Sequence, residues 1–178
     1  MEQVKDEQIK ETPTKEHQTK EHQTKEERAK ELFFEGYNCS QAVVGAFLNE
    51  IGLDAEKSKI ISMVSSFGGG MGRLREVCGA VSGIFLVAGA LYGYDDPKDL
   101  NAKKEHYQRI QELAAKFKEI NGSIICRELL GLDGKDTTPS PSPRTKEYYE
   151  KRPCPDKIGS AARLMEEYIK EHPVTVHK

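Results

Sequence analysis

Eighteen consecutive residues, Val77 to Tyr94 (VCGAVSGIFLVAGALYGY), carry no charge, in a chain where 31% of residues are charged. A helix this apolar on every side needs other elements around it. Gly79, Gly83, Gly89 and Gly93, with Ala80, Ala88 and Ala90 between them, leave room for neighbouring backbones to approach closely. The stretch therefore reads as the central, Gly/Ala-rich helix of an all-α domain, a compact bundle of about six helices. Its length also raises a membrane span. Against that, Asp95 and Asp96 follow at once, and Arg73, Arg75 and Glu76 precede it closely. The other candidate helices are amphipathic and need this segment as their core, so no membrane span is expected. The Gly79/Gly83 and Gly89/Gly93 pairs fit packing within the chain or a homodimer seam, and packing within the chain is the expected use.

Composition bounds the partners. The formal net charge is −2 and Trp is absent, so nothing marks a nucleic-acid binder. The start, MEQVKDEQIKETPT, holds no apolar run of a secretory signal. A cytoplasmic location is expected, where four cysteines serve as ligands or redox thiols rather than structural disulfides. Residues 1–25 are a low-complexity polar extension, with KEHQT in tandem at Lys15–Thr19 and Lys20–Thr24. A five-residue period turns about 500° on a helix and builds no constant face. His17 and His22 in these copies read as exposed linker residues.

A four-cysteine helical domain is expected over 26–172. Ala29, Leu32 and Phe33 give a first helix stopped by Gly36. Asn38 and Gln41 form a capping-box pattern for a second, running to Gly52. Asp54 caps a third, with Ile60, Ile61, Met63 and Val64 as its stripe. Gly68-Gly69-Gly70 reads as a tight turn near the cysteines, because it lacks the Lys and Ser/Thr of a phosphate loop. Pro97 opens a long helix whose stripe is Leu100, Tyr107, Ile110, Leu113, Ala114 and Phe117, with His106 on its surface. Ser123 caps a short one, residues 133–152 form a polar connection, and Pro155 opens the last helix.

The cysteines are Cys39, Cys78, Cys126 and Cys154, with 38, 47 and 27 residues between them. No short Cys-x-x-Cys pair exists, so spacing alone supports neither a zinc ribbon nor a ferredoxin run. Position says more. Each falls in or beside an expected first helical turn, where unpaired N–H groups favour thiolate and anionic clusters. Arg73, Arg75 and Arg127 add positive charge. The bland alternative is four separate cysteines buried as small hydrophobes.

Cys78-Gly79-Ala80-Val81-Ser82-Gly83 reads C-G-A-x-x-G. Cys39 lies upstream in N-C-S-Q-A-V, and Cys126 and Cys154 lie downstream in C-R-E-L-L-G and C-P-D-K-I-G-S-A-A. In these motifs the chain resembles the C_GCAxxG_C_C family of redox-active proteins, over roughly residues 28–170. The resemblance implies that Cys39, Cys78, Cys126 and Cys154 are the functional set. A similar domain occurs in split-Soret-type cytochromes, where an iron–sulfur centre is associated with it. This chain lacks C-x-x-C-H, so no c-type haem is expected.

Three functions stay open. The first is a redox-active electron carrier with an iron–sulfur cluster, most simply [2Fe–2S], on all four cysteines, serving an oxidoreductase partner. The second is a metal-free thiol–disulfide redox protein or sensor. The third is an interaction domain with a structural Zn(Cys)₄ site.

Overall fold

The computed structural model describes residues 23–133 and 137–174. The first KEHQT copy, His17 and His22 lie outside the described residues. The elements are α1 (Lys25–Phe34), α2 (Cys39–Ala46), α3 (Lys57–Val64), a 3₁₀ turn (Ser65–Phe67), α4 (Gly68–Met71), α5 (Gly79–Tyr92), α6 (Leu100–Asn121), α7 (Cys126–Leu129), α8 (Lys146–Lys151) and α9 (Cys154–Glu171). Six of them, α1, α2, α3, α5, α6 and α9, run eight residues or more, which matches the expected all-α bundle. No strand occurs among the described residues; the nearest thing is an isolated antiparallel bridge, Val77 to Ile125.

Local chemistry sets the helix starts. The Thr24 side chain accepts from the Glu27 N–H, and the Glu27 carboxylate accepts from the Thr24 N–H at 2.9 Å, a complete capping box. The last residue of the second KEHQT copy is thus the N-cap of α1, which runs from Lys25. Asn38 and Gln41 form the expected box on α2. The same side chains tie α2 to α3. Asn38 Nδ2 donates to the Ser65 carbonyl at 2.8 Å, Ser40 Oγ to that of Val64 at 2.7 Å, and Gln41 Nε2 to that of Ile61 at 3.1 Å. Lys30 and Arg163 both reach Glu26 where α1 lies along α9.

The core gathers Phe33, Phe47, Val43, Ile84, Val87, Leu113, Phe117, Ile158 and Met165, all fully buried. α5 packs against α2, α4, α6 and α9. Its two glycine pairs part company. A Cβ on Gly83 would lie 2.7 Å from Val43 Cβ, and one on Gly79 would lie 3.0 Å from Cys39 Cβ. This pair is where α5 presses onto α2. A Cβ on Gly89 would meet nothing within 4 Å, and Ala90 is exposed. The apolar stretch is therefore surrounded along its first half and open on one side along its second. Among the described residues no helix is long and apolar enough to cross a membrane.

Several expected boundaries move. α2 ends at Ala46 rather than Gly52, with Phe47 as its C-cap. α3 is preceded by Glu56, not capped by Asp54, and of its expected stripe only Val64 is buried while Met63 is 61% exposed. α6 starts at Leu100, capped by Asp99, and not at Pro97. Its stripe is buried only at Leu113 and Phe117; Leu100 and Tyr107 are exposed. Length contributes: 22 residues span about 33 Å against about 21 Å for the 14 of α5, so α5 cannot cover the whole of α6. His106 is not a free surface residue. It is half-buried against the Tyr94 ring, and its Nδ1 finds no partner among the described residues. The polar connection contains a helix, α8, capped by Thr145, whose tyrosines anchor it: Tyr149 packs edge-on to Phe33 at 5.6 Å.

The glycine contrast is testable by urea unfolding. Gly83→Ala is expected to destabilise by about 1–3 kcal/mol, because the methyl forces α5 off α2. Gly89→Ala is expected to stabilise by about 0.5–1 kcal/mol, because helix propensity improves with nothing displaced.

Candidate functional site: four cysteines around one cavity

Cys39 is the first residue of α2, Cys78 the N-cap of α5, Cys126 the first residue of α7, and Cys154 the first residue of α9. The helix-start placement read from the sequence holds for all four. All four are free thiols, and all line one cavity of about 210 Å³. The N-termini of α2, α5 and α9 bring unpaired N–H groups and partial positive charge to it.

Three local features assemble the cavity. The Val77–Ile125 bridge is the first: Cys78 N–H donates to the Ile124 carbonyl at 2.8 Å, and Cys126 N–H to that of Glu76 at 2.6 Å. This ladder holds Cys78 and Cys126 on adjoining segments. The second is the contact of Gly79 with Cys39 already described. The third is the glycine turn. Gly69 (φ 66°) and Gly70 (φ 73°) are left-handed inside α4, so α4 is a turn rather than a regular helix, as the three glycines imply. A Cβ on Gly70 would lie 2.6 Å from Cys126 Cβ. Only glycine lets the turn close over this sulfur. Met71, Arg73 and Arg75 are also left-handed, each storing about 1–3 kcal/mol of strain beside the cavity.

The lining is cationic. Arg73, Arg75, Arg144, Arg152 and Lys157 line the cavity, and among the described residues no Asp or Glu does. Arg75 is 2% exposed and hydrogen-bonds the Cys126 sulfur. Arg127, expected from the sequence to join this field, does not line the cavity; it pairs with Glu76 at 3.0 Å. Arg144, Arg152, Lys157 and Tyr148 were not singled out from the sequence. Arg152 carried the one available signal, lying two residues before Cys154. The other three reach the cavity only through the course of the 137–152 segment and the first turn of α9.

The thiols are electrostatically unequal. The Cys39 thiol donates a hydrogen bond to the Cys154 sulfur. That bond, with burial, holds the Cys39 proton well above the usual thiol range. The same bond, with the Arg152 and Arg144 charges, draws Cys154 down to about 7. Of the pair, Cys154 is therefore the thiol that ionises first, and Cys39 keeps its proton. Burial pushes Cys78 up to about 12, against the Ala80 and Val81 N–H groups, which favour its thiolate. Burial also raises Cys126, against the Arg75 hydrogen bond and charge. Among the described residues no group of three or more His, Cys, Asp or Glu side chains is drawn together as a single metal ion requires.

Fold and site together define an all-helical four-thiol domain, with its sulfurs set around one cationic cavity. The chain belongs to the family described as Putative redox-active protein (C_GCAxxG_C_C), whose model matches residues 37–168. No curated protein and no solved structure matches the chain.

The asymmetry predicts a pH profile for the metal-free, reduced protein. A thiol reacts as its thiolate, so the lowered Cys154 gains reactivity at lower pH than its neighbours. Alkylation of Cys154 by iodoacetamide, followed site by site by mass spectrometry, is expected to rise with a midpoint near the value of about 7. Cys78 is expected to stay inert until near its value of about 12. Equal profiles at the two sites would contradict the assignment.

Proposed function

We propose that this redox-active protein is an electron carrier whose Cys39, Cys78, Cys126 and Cys154 hold an iron–sulfur cluster, most simply [2Fe–2S]. The observation that carries the reading is the meeting of four thiols, from four separate elements, around one cavity lined by five cationic side chains. Thiolates are the donors iron–sulfur clusters use. Burial alone disfavours four thiolates, and a cluster relieves this by replacing their protons with metal. A lone zinc ion needs its sulfurs about 2.3 Å from one point. A cluster core brings its own bridging atoms and suits a wider ring of thiols.

The cluster would supply one-electron transfer. The chain's residues would supply its environment. Arg75 and Arg152 offset negative charge, the helix N-termini supply N–H groups such as those of Ala80 and Val81 at Cys78, and Phe33, Leu129 and Ile158 keep part of the cavity wall apolar. The partner would be an oxidoreductase, in a reducing compartment such as the cytoplasm, where free thiols persist.

A second reading rests on the Cys39–Cys154 pair. Two hydrogen-bonded thiols with oppositely shifted protons are also the arrangement of a thiol–disulfide couple. The Cys154 thiolate would attack a partner disulfide and release one partner thiolate. Cys39 would then attack the mixed disulfide, release the second, and leave a Cys39–Cys154 disulfide.

Iron, acid-labile sulfide and zinc per chain on anaerobically purified protein, with a visible spectrum, separate these readings. The cluster reading expects about two iron and two sulfide, and at least about tenfold less iron in Cys78→Ser. Zinc alone would replace it with a structural site. Absence of metal, with a reversible Cys39–Cys154 disulfide, would replace it with thiol chemistry.

A further inference from the structure

The segment 137–144, Thr-Thr-Pro-Ser-Pro-Ser-Pro-Arg, has no regular secondary structure, yet it lies at the cysteine cavity. Pro141, Ser142 and Arg144 line that cavity alongside the four cysteines. Every residue of the segment except Ser142 is exposed. It is tied down near both ends by arginine side chains reaching backbone carbonyls. Near the first end, Arg73 Nε donates to the Thr138 carbonyl. At the other, Arg144 Nη2 donates to the Tyr37 carbonyl at 3.3 Å. The Arg144 guanidinium also lies 4.5 Å from the Phe33 ring centre, 4.9 Å from that of Tyr148 and 5.8 Å from that of Tyr149. It is clamped between the end of α1 and α8.

We infer that residues 137–144 are a strap that gates the passage of solutes to the four cysteines, latched by Arg73 at Thr138 and by Arg144 among Tyr37, Phe33 and Tyr148. Three alternating prolines keep such a segment extended and semi-rigid, so it moves as one piece rather than collapsing into the cavity. Its exposed backbone and side-chain ties place it at the low end of local stability, where opening needs no disturbance of the core. The cavity below is walled by α2, α5, α7, α9 and the glycine turn, all tied into the body by the contacts described above. The strap is the wall that can swing. Its two latches are cations, so releasing it also uncovers positive charge at the mouth.

The inference rests on reading the four cysteines as the working site, but its test needs no metal. Full-length protein, reduced and metal-free, is alkylated under native conditions with iodoacetamide and, in parallel, with a maleimide carrying a polyethylene glycol chain. Modification is then followed at each cysteine by mass spectrometry. Arg73→Ala/Arg144→Ala is expected to react about tenfold faster than the parent, with the larger gain for the bulky reagent. Loss of the Arg144 charge by itself raises the Cys154 pKa and slows its alkylation, so acceleration there reports access rather than reactivity. Arg144→Lys keeps the charge and loses the planar stack; about threefold acceleration is expected. Should the double variant lose its helical circular dichroism, the Lys variant decides alone. Native-state rates within about twofold of the parent in every folded variant would overturn the strap. That outcome would leave the cluster assignment standing, and a protein that binds no iron would leave the strap standing.

Discussion

The site depends on how closely α5 approaches α2. The two helices meet at Gly79 and Gly83, where a methyl would run into Cys39 and Val43. That contact brings the N-terminus of α5, with Cys78, beside the N-terminus of α2, with Cys39. Everything else at the cavity is arranged around this junction. The glycine turn folds over it from the end of α3, the Val77–Ile125 bridge adds Cys126, and α9, packed along α1, brings in Cys154. A wider helix–helix distance would leave two pairs of cysteines in place of one site. The glycines of the C-G-A-x-x-G pattern thus act as spacers between helices, and its cysteine is the N-cap they deliver.

Charge accounts for the remaining design of the cavity. Burial works against thiolates; it raises Cys78 and Cys126, and it adds to the hydrogen bond with Cys154 that raises Cys39. Against it stand the helix N-termini, Arg75 on Cys126, and on Cys154 the Cys39 hydrogen bond with the Arg152 and Arg144 charges. Cys154 alone is lowered, while the other three hold their protons more tightly than an ordinary thiol. An added metal centre would take up the remaining sulfurs as thiolates, which couples binding to proton release. The left-handed Met71, Arg73 and Arg75 show that the chain tolerates strain to place Arg73 and Arg75 at the site.

Much of this was legible in the sequence, for identifiable reasons. Asn38 and Gln41 announced the start of α2, and with it the place of Cys39, because capping boxes are local chemistry. Cys78, Cys126 and Cys154 could be set at helix starts because Gly, Ser and Pro punctuate the chain beside them. Convergence of the four was not derivable from spacings of 38, 47 and 27 residues; it arose from tertiary contacts and had to be borrowed from the family resemblance. The misreadings share a cause. Periodicity gave Leu100 and Tyr107 to the buried stripe of α6, but a stripe is buried only as far as a neighbour extends. The same holds for the open side of α5 at Gly89 and Ala90. Arg144 and α8 were missed because a Pro- and Ser-rich stretch carries no period, and its contacts with Phe33 and Tyr37 are set by the fold.

The central claim is that four sulfurs bound one polynuclear centre. X-ray absorption at the iron edge, on anaerobically isolated and iron-loaded full-length protein, tests it most directly. The account predicts a first shell made only of sulfur, with a short metal–metal vector, both lost in Cys39→Ser and Cys154→Ser. Iron bound through nitrogen or oxygen, or a sulfur shell unchanged in those variants, would contradict it.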